Sequence, residues 1–304
     1  MRFFPMALFV YRRPLHTKRL IESLKRNPEA AVMPLFIFSD APKGMEDVAD
    51  VTAVRAYLHT LTGFGRITLT EHSVHQGLAQ SIIQGVTALS EQYGAVIVLE
   101  DDLILSSHFL AYMQAGLIKY EHEPKVFQIA GHMFDVIGLD PSLRWGDGQE
   151  ACFLPMISSW GWGTWARAWK TFDPTAAGFS VLKNSWRQRF EFDLKGTSTF
   201  YKMLQYQQWG KNQSWAIRWY LSVFLQQGLT LFPLKTLVVN GGFDGSGEHC
   251  HDQAFLQPLD EAFTVRTFPD KIEVNQAIYG AVRRYYRKNR TYRAAVRHWV
   301  ELLL

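Results

Sequence analysis

The 304-residue chain predicts an α/β protein built on a mainly parallel sheet with helices on both faces. Three observations carry this expectation. Short apolar runs alternate with amphipathic stretches through the first 130 residues. The runs are apolar at consecutive positions, as in strands buried on both faces. Proline, glycine, asparagine and aspartate punctuate them.

Met6 to Tyr11 reads as the first strand. Pro14 stands where a helix can begin, because its missing N–H is one that a helix start leaves unpaired anyway. Leu20, Ile21 and Leu24 share a face, and Asn27-Pro28 ends that helix. Met33 to Phe38 is the second strand, stopped by Ser39-Asp40-Ala41-Pro42. A helix over Glu46–Thr60 and a short strand near Ile67–Leu69 follow. Leu78, Ile82, Ile83, Val86 and Leu89 mark an amphipathic helix closed near Gly94, a residue that accepts the left-handed backbone of a helix end. Ala95 to Leu99 is the clearest strand in the chain. The second half is less regular. Half of the tryptophans fall between Trp145 and Trp169, helices are expected over Ser198–Gln208 and Trp215–Gln227, and a short strand around Leu237–Val239 leads into the glycine-rich stretch Gly241–Cys250. A basic helix starts near Ala277. With no Pro/Ser-rich linker, we expect one continuous unit with two lobes and a tail, at 1–130, 131–260 and 261–304.

A composition that is 47% hydrophobic and 20% charged excludes disorder as the main state, and the absence of an internal period excludes a repeat array. Two cysteines exclude a disulfide scaffold and make a reducing compartment the simpler expectation. Residues 280–304 carry seven Lys/Arg and one acid, leaving 25 bases and 27 acids for the rest of the chain. By charge, the body is no nucleic-acid binder. The opening MRFFPMALFVYRR imitates a secretion signal. Its apolar run is short, contains Pro5 and lacks a small-residue cleavage site, so we read it as a buried strand. A bilayer span needs about 20 apolar residues, which no stretch provides. The expected address is cytoplasmic, with a peripheral contact to the inner face of the membrane open to the tail. Its basic, aromatic helix can lie on anionic lipid, or pack on the body by its apolar face.

Ligands of such sheets bind at the carboxyl ends of the strands. The polar residues there are Arg12-Arg13, Ser39-Asp40, His72–Gln76 and Glu100-Asp101-Asp102, which are expected to converge on one crevice. Three consecutive acids after a buried strand repel one another and resist ionisation unless a cation joins them. Mg²⁺ and Mn²⁺ take carboxylate and phosphate oxygens together, so an ion bridging Asp102 and a diphosphate fits this chemistry. The alternative is a solvated turn capping a helix from Ser106 onward. No P-loop, dinucleotide-binding glycine pattern, paired-cysteine zinc motif or serine-hydrolase elbow is present.

The segments FVYRRPLHTKRLIESL, LFIFSDAPKG, VIVLEDDLILSSHFLAYM, FLPMISSWGWGTWARAWKTFD and SWAIRWYLSVFLQQGLTLFPLKTLVVNGGFDGSGEHC carry a resemblance across roughly residues 3–250. Together they resemble nucleotide-sugar glycosyltransferases of the A-type fold, and most of all bacterial sugar transferases related to the N-acetylglucosaminyltransferase I family. The resemblance implies a Rossmann-like sheet, a nucleotide-diphosphate sugar donor and Mn²⁺ or Mg²⁺. Arg13 and Asp40 would then hold the nucleoside or diphosphate, Glu100 and Asp101 would face the nucleoside and donor sugar, and Asp102 would bind the metal. His249 would approach the metal or diphosphate from the late loop, unless it is an ordinary surface residue.

The chain departs from the family pattern twice. Relatives often carry Asn before the helix start at Gly77, where this chain has His75-Gln76; His75 can still offer a donor to sugar or phosphate. Many carry an acid, the catalytic base, where this chain has Ala216. Asp244 and Glu248 are the substitutes we name. Arg218 either stabilises the leaving diphosphate or forms a surface salt bridge. Trp160 and Trp162 are assigned to the acceptor side because indoles stack on sugar faces, whereas Trp165 and Trp169 read equally well as core. The expected activity is inverting, metal-dependent transfer of a hexosyl or N-acetylhexosaminyl group to a glycan or lipid-linked hydroxyl. The rival classes are a nucleotidyltransferase, which would need a basic glycine-rich phosphate loop that this chain lacks, and a nucleotide-sugar or glycan-binding protein without turnover.

Overall fold

The structure is a computed structural model that describes residues 2–136, 148–242 and 258–288. The first half runs β1 (Met6–Val10), α1 (Pro14–Lys25), β2 (Pro34–Ser39), α2 (Val48–Leu58), β3 (Arg66–Glu71), α3 (Leu78–Tyr93) and β4 (Ala95–Glu100). It continues with β5 (Leu103–Leu105), α4 (Phe109–Lys119), β6 (Val126–Ala130), β7 (Ala151–Leu154) and β8 (Trp162–Trp165). Four short helices follow: α5 (Ala166–Trp169), α6 (Phe179–Lys183), α7 (Trp186–Phe192) and α8 (Phe200–Gln208). Then come α9 (Trp215–Leu225), β9 (Leu229–Pro233), β10 (Val238–Asn240) and α10 (Gln276–Lys288).

Eight strands form one sheet in the order β3-β2-β1-β4-β8-β6-β9-β7, and β5 pairs with β10 in a small antiparallel ribbon. β3, β2, β1 and β4 are parallel neighbours, while β8 runs antiparallel to both β4 and β6, and β7 runs against β9. The fold is therefore mixed α/β on a mainly parallel sheet. The less regular part of the sequence beyond residue 130 supplies three of its strands, β7, β8 and β9, so the sheet continues past that point. After β1 the chain goes to β2 on one side and later returns to β4 on the other. The carboxyl ends of β1 and β4 thus flank the switch point, where α/β sheets open a crevice.

Burial explains the first-half elements. All five residues of β1 are buried, as are Ala95 to Leu99 of β4. α1 buries Leu20, Ile21 and Leu24, while α3 buries Ile82, Val86 and Leu89. Gly85 lets α3 approach closely, since a β-carbon there would sit 2.8 Å from the Phe9 ring. Gly94 ends α3 at φ +85°, its N–H donating to Ser90 O at 2.8 Å. Beyond α4, Arg167 donates to the carbonyls of Tyr120, Glu121 and Val126 and lies over the Trp165 ring.

Trp162, Trp169, Trp215 and Trp219 form an aromatic block beside β8. Trp162 stacks on Trp215 at 5.0 Å, and Trp169 meets Trp219 at 5.0 Å. α10 buries Ile278, Tyr279, Val282 and Tyr285 in a second core shared with α8 and α9. The apolar face that the sequence left open to lipid is, for these residues, covered by the protein itself. Among the described residues, no helix is long and apolar enough to cross a membrane.

Candidate active site

At the switch point, Arg13 Nη1 lies 3.3 Å from Asp102 Oδ2 and 3.9 Å from Asp101 Oδ1. The Tyr11 N–H donates to Asp101 Oδ2 at 3.3 Å, fastening the end of β1 to the acids after β4. Glu100 accepts a hydrogen bond from the Trp215 side chain. The acids do not cap a helix from Ser106: β5 intervenes, and α4 begins at Phe109.

A second group stands at the end of β2. Asp40 Oδ1 accepts from the Gln76 and Ala41 N–H groups at 2.8 and 2.9 Å, and Oδ2 accepts from Gly77 N–H at 2.8 Å. His75 Nδ1 lies 3.1 Å from Asp40 Oδ2 and 2.9 Å from Ala41 O. Gly77, at φ +78°, makes the turn into α3. Tyr11 joins the two groups, with its ring 5.1 Å from His75 and its hydroxyl donating to Asp47 Oδ2 at 2.6 Å. Burial and the Asp47 carboxylate raise the Tyr11 phenol to about 12. Arg55 braces this wall by donating to the carbonyls of Ser39, Asp40 and His72. The structure therefore brings Arg13, Asp40, His75, Glu100, Asp101 and Asp102 to one crevice.

The opposite lip is the chain leaving β10. The Gly241 N–H donates to Asp102 O at 2.6 Å, and a β-carbon on Gly242 would sit 3.0 Å from Asp102 Oδ2. A β-carbon there would oblige the carboxylate to give way by a few tenths of an ångström. Asp244, Glu248 and His249 follow on this strand's far side in sequence and lie outside the described residues.

Trp160 is half-buried and lines a cavity with His132 and Ala216. Trp162 does not fit the acceptor role expected from sequence. It is 0% exposed, pairs in β8 against Val98 and Ala130, and packs on Trp215 and Trp169. All four residues of β8 are buried between its neighbours, whereas Trp160 stands outside the strand, beyond the left-handed turn at Gly161. Arg218 donates to Ser214 O and Pro174 O, which gives it a structural use. The sequence reading missed Tyr11, Asp47, Arg55, Trp215 and His132. Tyr11 and Trp215 adjoin motifs already singled out; no spacing in the sequence connects Asp47, Arg55 or His132 to the crevice.

The electrostatics follow from burial. Desolvation and then the Asp102 charge raise Asp101 to about 7, opposed by Arg13 and the Tyr11 N–H. Desolvation and the neighbouring acids raise Glu100 well above the usual range. Asp101 thus holds a proton in the folded chain that it loses when unfolded, between pH about 4 and 7. Its stabilising protonation is complete below pH 4 and lost as pH rises through 7. The melting temperature of metal-free protein is expected to fall by several degrees over that window, and Mg²⁺ should flatten the fall. Asp101→Asn should remove most of it. A melting curve series that is flat in wild type would overturn the assignment.

The residues present fit a divalent ion on chemical grounds. Carboxylates are the ligands Mn²⁺ and Mg²⁺ take, and burial followed by mutual repulsion holds two of the three back from ionising, which a cation would relieve. Among the described residues, no group of three or more His, Cys, Asp or Glu is arranged to hold a metal by itself.

No protein-family model matches the chain, and neither does any curated relative. Solved structures with a similar fold include glycosyltransferases. A mannosyltransferase from Pyrobaculum calidifontis, solved with GDP-Man and Mn²⁺, is 14% identical over 54% of this chain and 45% of its own, at a TM-score of 0.39. GalNAc-T7 with UDP, GalNAc and Mn²⁺ is 11% identical over 78% of this chain and 44% of its own, at 0.46. Mouse xyloside xylosyltransferase 1, without ligand, is 12% identical over 74% and 82%, at 0.37. The chain spans less than half the length of the first two. At these identities and scores, the likenesses assign no activity or substrate to it.

Proposed function

We propose that the protein transfers a hexosyl or N-acetylhexosaminyl group from a nucleoside-diphosphate sugar to a hydroxyl of a glycan or lipid-linked acceptor, with inversion. The observation that carries this reading is the carboxylate cluster Glu100-Asp101-Asp102 at the sheet's switch point, with Arg13 set against it. Asp102, joined by His249 from the loop after β10, would hold Mn²⁺ or Mg²⁺. The ion, when bound, supplies positive charge against the departing diphosphate. Arg13 adds a fixed cation to the same place. Asp40 holds the His75–Gly77 turn so that its backbone shapes the nucleoside side, and Trp215 orients Glu100 toward the donor sugar. Trp160 belongs to the acceptor side. Asp244 and Glu248 carry no part of this reading.

Thermal stability should be measured with UDP, GDP, dTDP and CMP, each with and without Mn²⁺, for wild type and Asp102→Ala. One nucleotide is expected to stabilise wild type only with metal, by about 2.7 kcal/mol at 100 times its Kd. Asp102→Ala should lose that gain. Release of the nucleoside diphosphate from the matching sugar nucleotide then separates an enzyme from a binder. Formation of the sugar nucleotide from a nucleoside triphosphate would mark a nucleotidyltransferase instead. No stabilisation by any nucleotide would sink the proposal.

A further inference from the structure

A cavity of ≈ 240 Å³ lies beside Trp160, walled by Phe134, Phe200, Ala216, Tyr286 and His132 among others. Among the described residues, no carboxylate, lysine or arginine lines it. Its titratable groups are His132 and the phenols of Tyr220 and Tyr286, both raised by burial. His132 is 5% exposed, held between Trp160 and Phe134 at ring distances of 4.4 and 5.1 Å.

The hydrogen bonds fix its tautomer. His132 Nδ1 lies 3.2 Å from Thr236 Oγ1, and that hydroxyl gives its one hydrogen to Val238 O at 2.6 Å. The Val238 carbonyl, which can only accept, also bonds the ring, and with Nε2 unpartnered that bond falls to Nδ1, which therefore carries the ring proton. Nε2 is then a bare lone pair, buried and without a hydrogen-bond partner among the described residues. Desolvation lowers the ring to about 4, which keeps it neutral at pH 7.

Two routes connect this cavity to the carboxylate cluster. Ala216 on its wall directly follows Trp215, whose side chain donates to Glu100. Thr236, the partner of His132, leads through β10 to Gly241, which donates to Asp102 O. The Gly131 N–H, one residue before His132, donates to Gly161 O at 2.6 Å, so the Trp160 wall is tied to the same place.

We propose that His132 Nε2 accepts the proton of the attacking hydroxyl in this cavity, where Ala216 offers no carboxylate. The inference rests on the donor-site reading of the carboxylate cluster. The hydroxyl oxygen bonds to the anomeric carbon as the bond from that carbon to the diphosphate oxygen breaks. The electron pair of the broken bond leaves on the diphosphate, and the hydroxyl proton passes to Nε2, later to be lost to water. An imidazole lowered to about 4 is a base of the strength of an ordinary carboxylate. The aromatic walls suit an acceptor that presents a sugar ring face.

His132→Gln keeps an acceptor atom but cannot take a proton. Nucleoside diphosphate release from UDP-, GDP- and dTDP-sugars should be compared in wild type, His132→Gln and His132→Gln/Ala216→Asp, with water and with methyl hexosides as acceptors. We expect kcat to fall about 100-fold or more in His132→Gln, with nucleotide binding unchanged. Ala216→Asp should restore at least tenfold of it. Imidazole ¹⁵N NMR of wild type should place the proton on Nδ1 and show ionisation near pH 4, a result that needs no variant to fold. A kcat within threefold of wild type overturns the inference, as does a proton on Nε2. So does loss of turnover in Asp244→Asn or Glu248→Gln while His132→Gln stays active. Failure of every donor to bind wild type overturns the donor-site reading and this inference with it. Binding that persists while kcat ignores His132 overturns this inference alone.

Discussion

Asp40→Ala is expected to lower the melting temperature by roughly 4–6 °C and to abolish stabilisation by nucleotide. The carboxylate is 6% exposed and accepts from three backbone N–H groups, at Ala41, Gln76 and Gly77. Removing it strands those donors, each at about 1 kcal/mol or more. A total near 3 kcal/mol corresponds to several degrees in a chain of this size. The turn that starts α3 would then be released from the end of β2. Asp40→Asn retains one acceptor oxygen and should show a smaller loss. Thermal denaturation with and without the stabilising nucleotide checks both parts. A change below about 2 °C would mean that the turn holds itself without Asp40.

Trp162→Ala is expected to cost about 3–5 kcal/mol, the range for emptying a large aromatic site in a packed core. Its indole is fully buried between Trp215 and Trp169. Trp215 would lose its stacking partner and hold Glu100 less firmly, so nucleotide sugar should bind more weakly in the same variant. Trp162→Phe should cost far less, because the indole N–H has no hydrogen-bond partner among the described residues. Denaturant unfolding separates the two variants. Equal losses would show that an unseen polar contact, rather than packing, holds the site.

β1, β2 and β4 were legible because MALFV, LFIF and AVIVL are apolar runs that end in polar turn residues. Their parallel pairing follows from the helices between them, and the carboxyl-end rule then points to Arg13, Asp40 and the three acids. β8 was not legible as a strand. WGTW carries two bulky indoles around a glycine and reads as a sugar-binding turn until Val98 and Ala130 are placed on either side of it. β6 interrupts its apolar run with Gln128, whose side chain accepts from Ser158 N–H. That polar residue is explained only by a segment thirty positions away. His132 was hidden for the same reason, since its ring partners, Thr236 and Val238, lie about a hundred positions further along the chain.

The insertion of β8 between β4 and β6 also shapes how the chain is made. Until Trp162–Trp165 leaves the ribosome, β4 has a partner on one side only, and its apolar AVIV edge stands open. Open apolar edges recruit other chains, and pairings between distant segments form late. The nascent chain therefore passes through an interval in which the crevice's carboxylates are assembled but the strand that seals them is missing. Aggregation during synthesis should be most sensitive to changes in β8, and least to changes in α10, which packs after the sheet has closed.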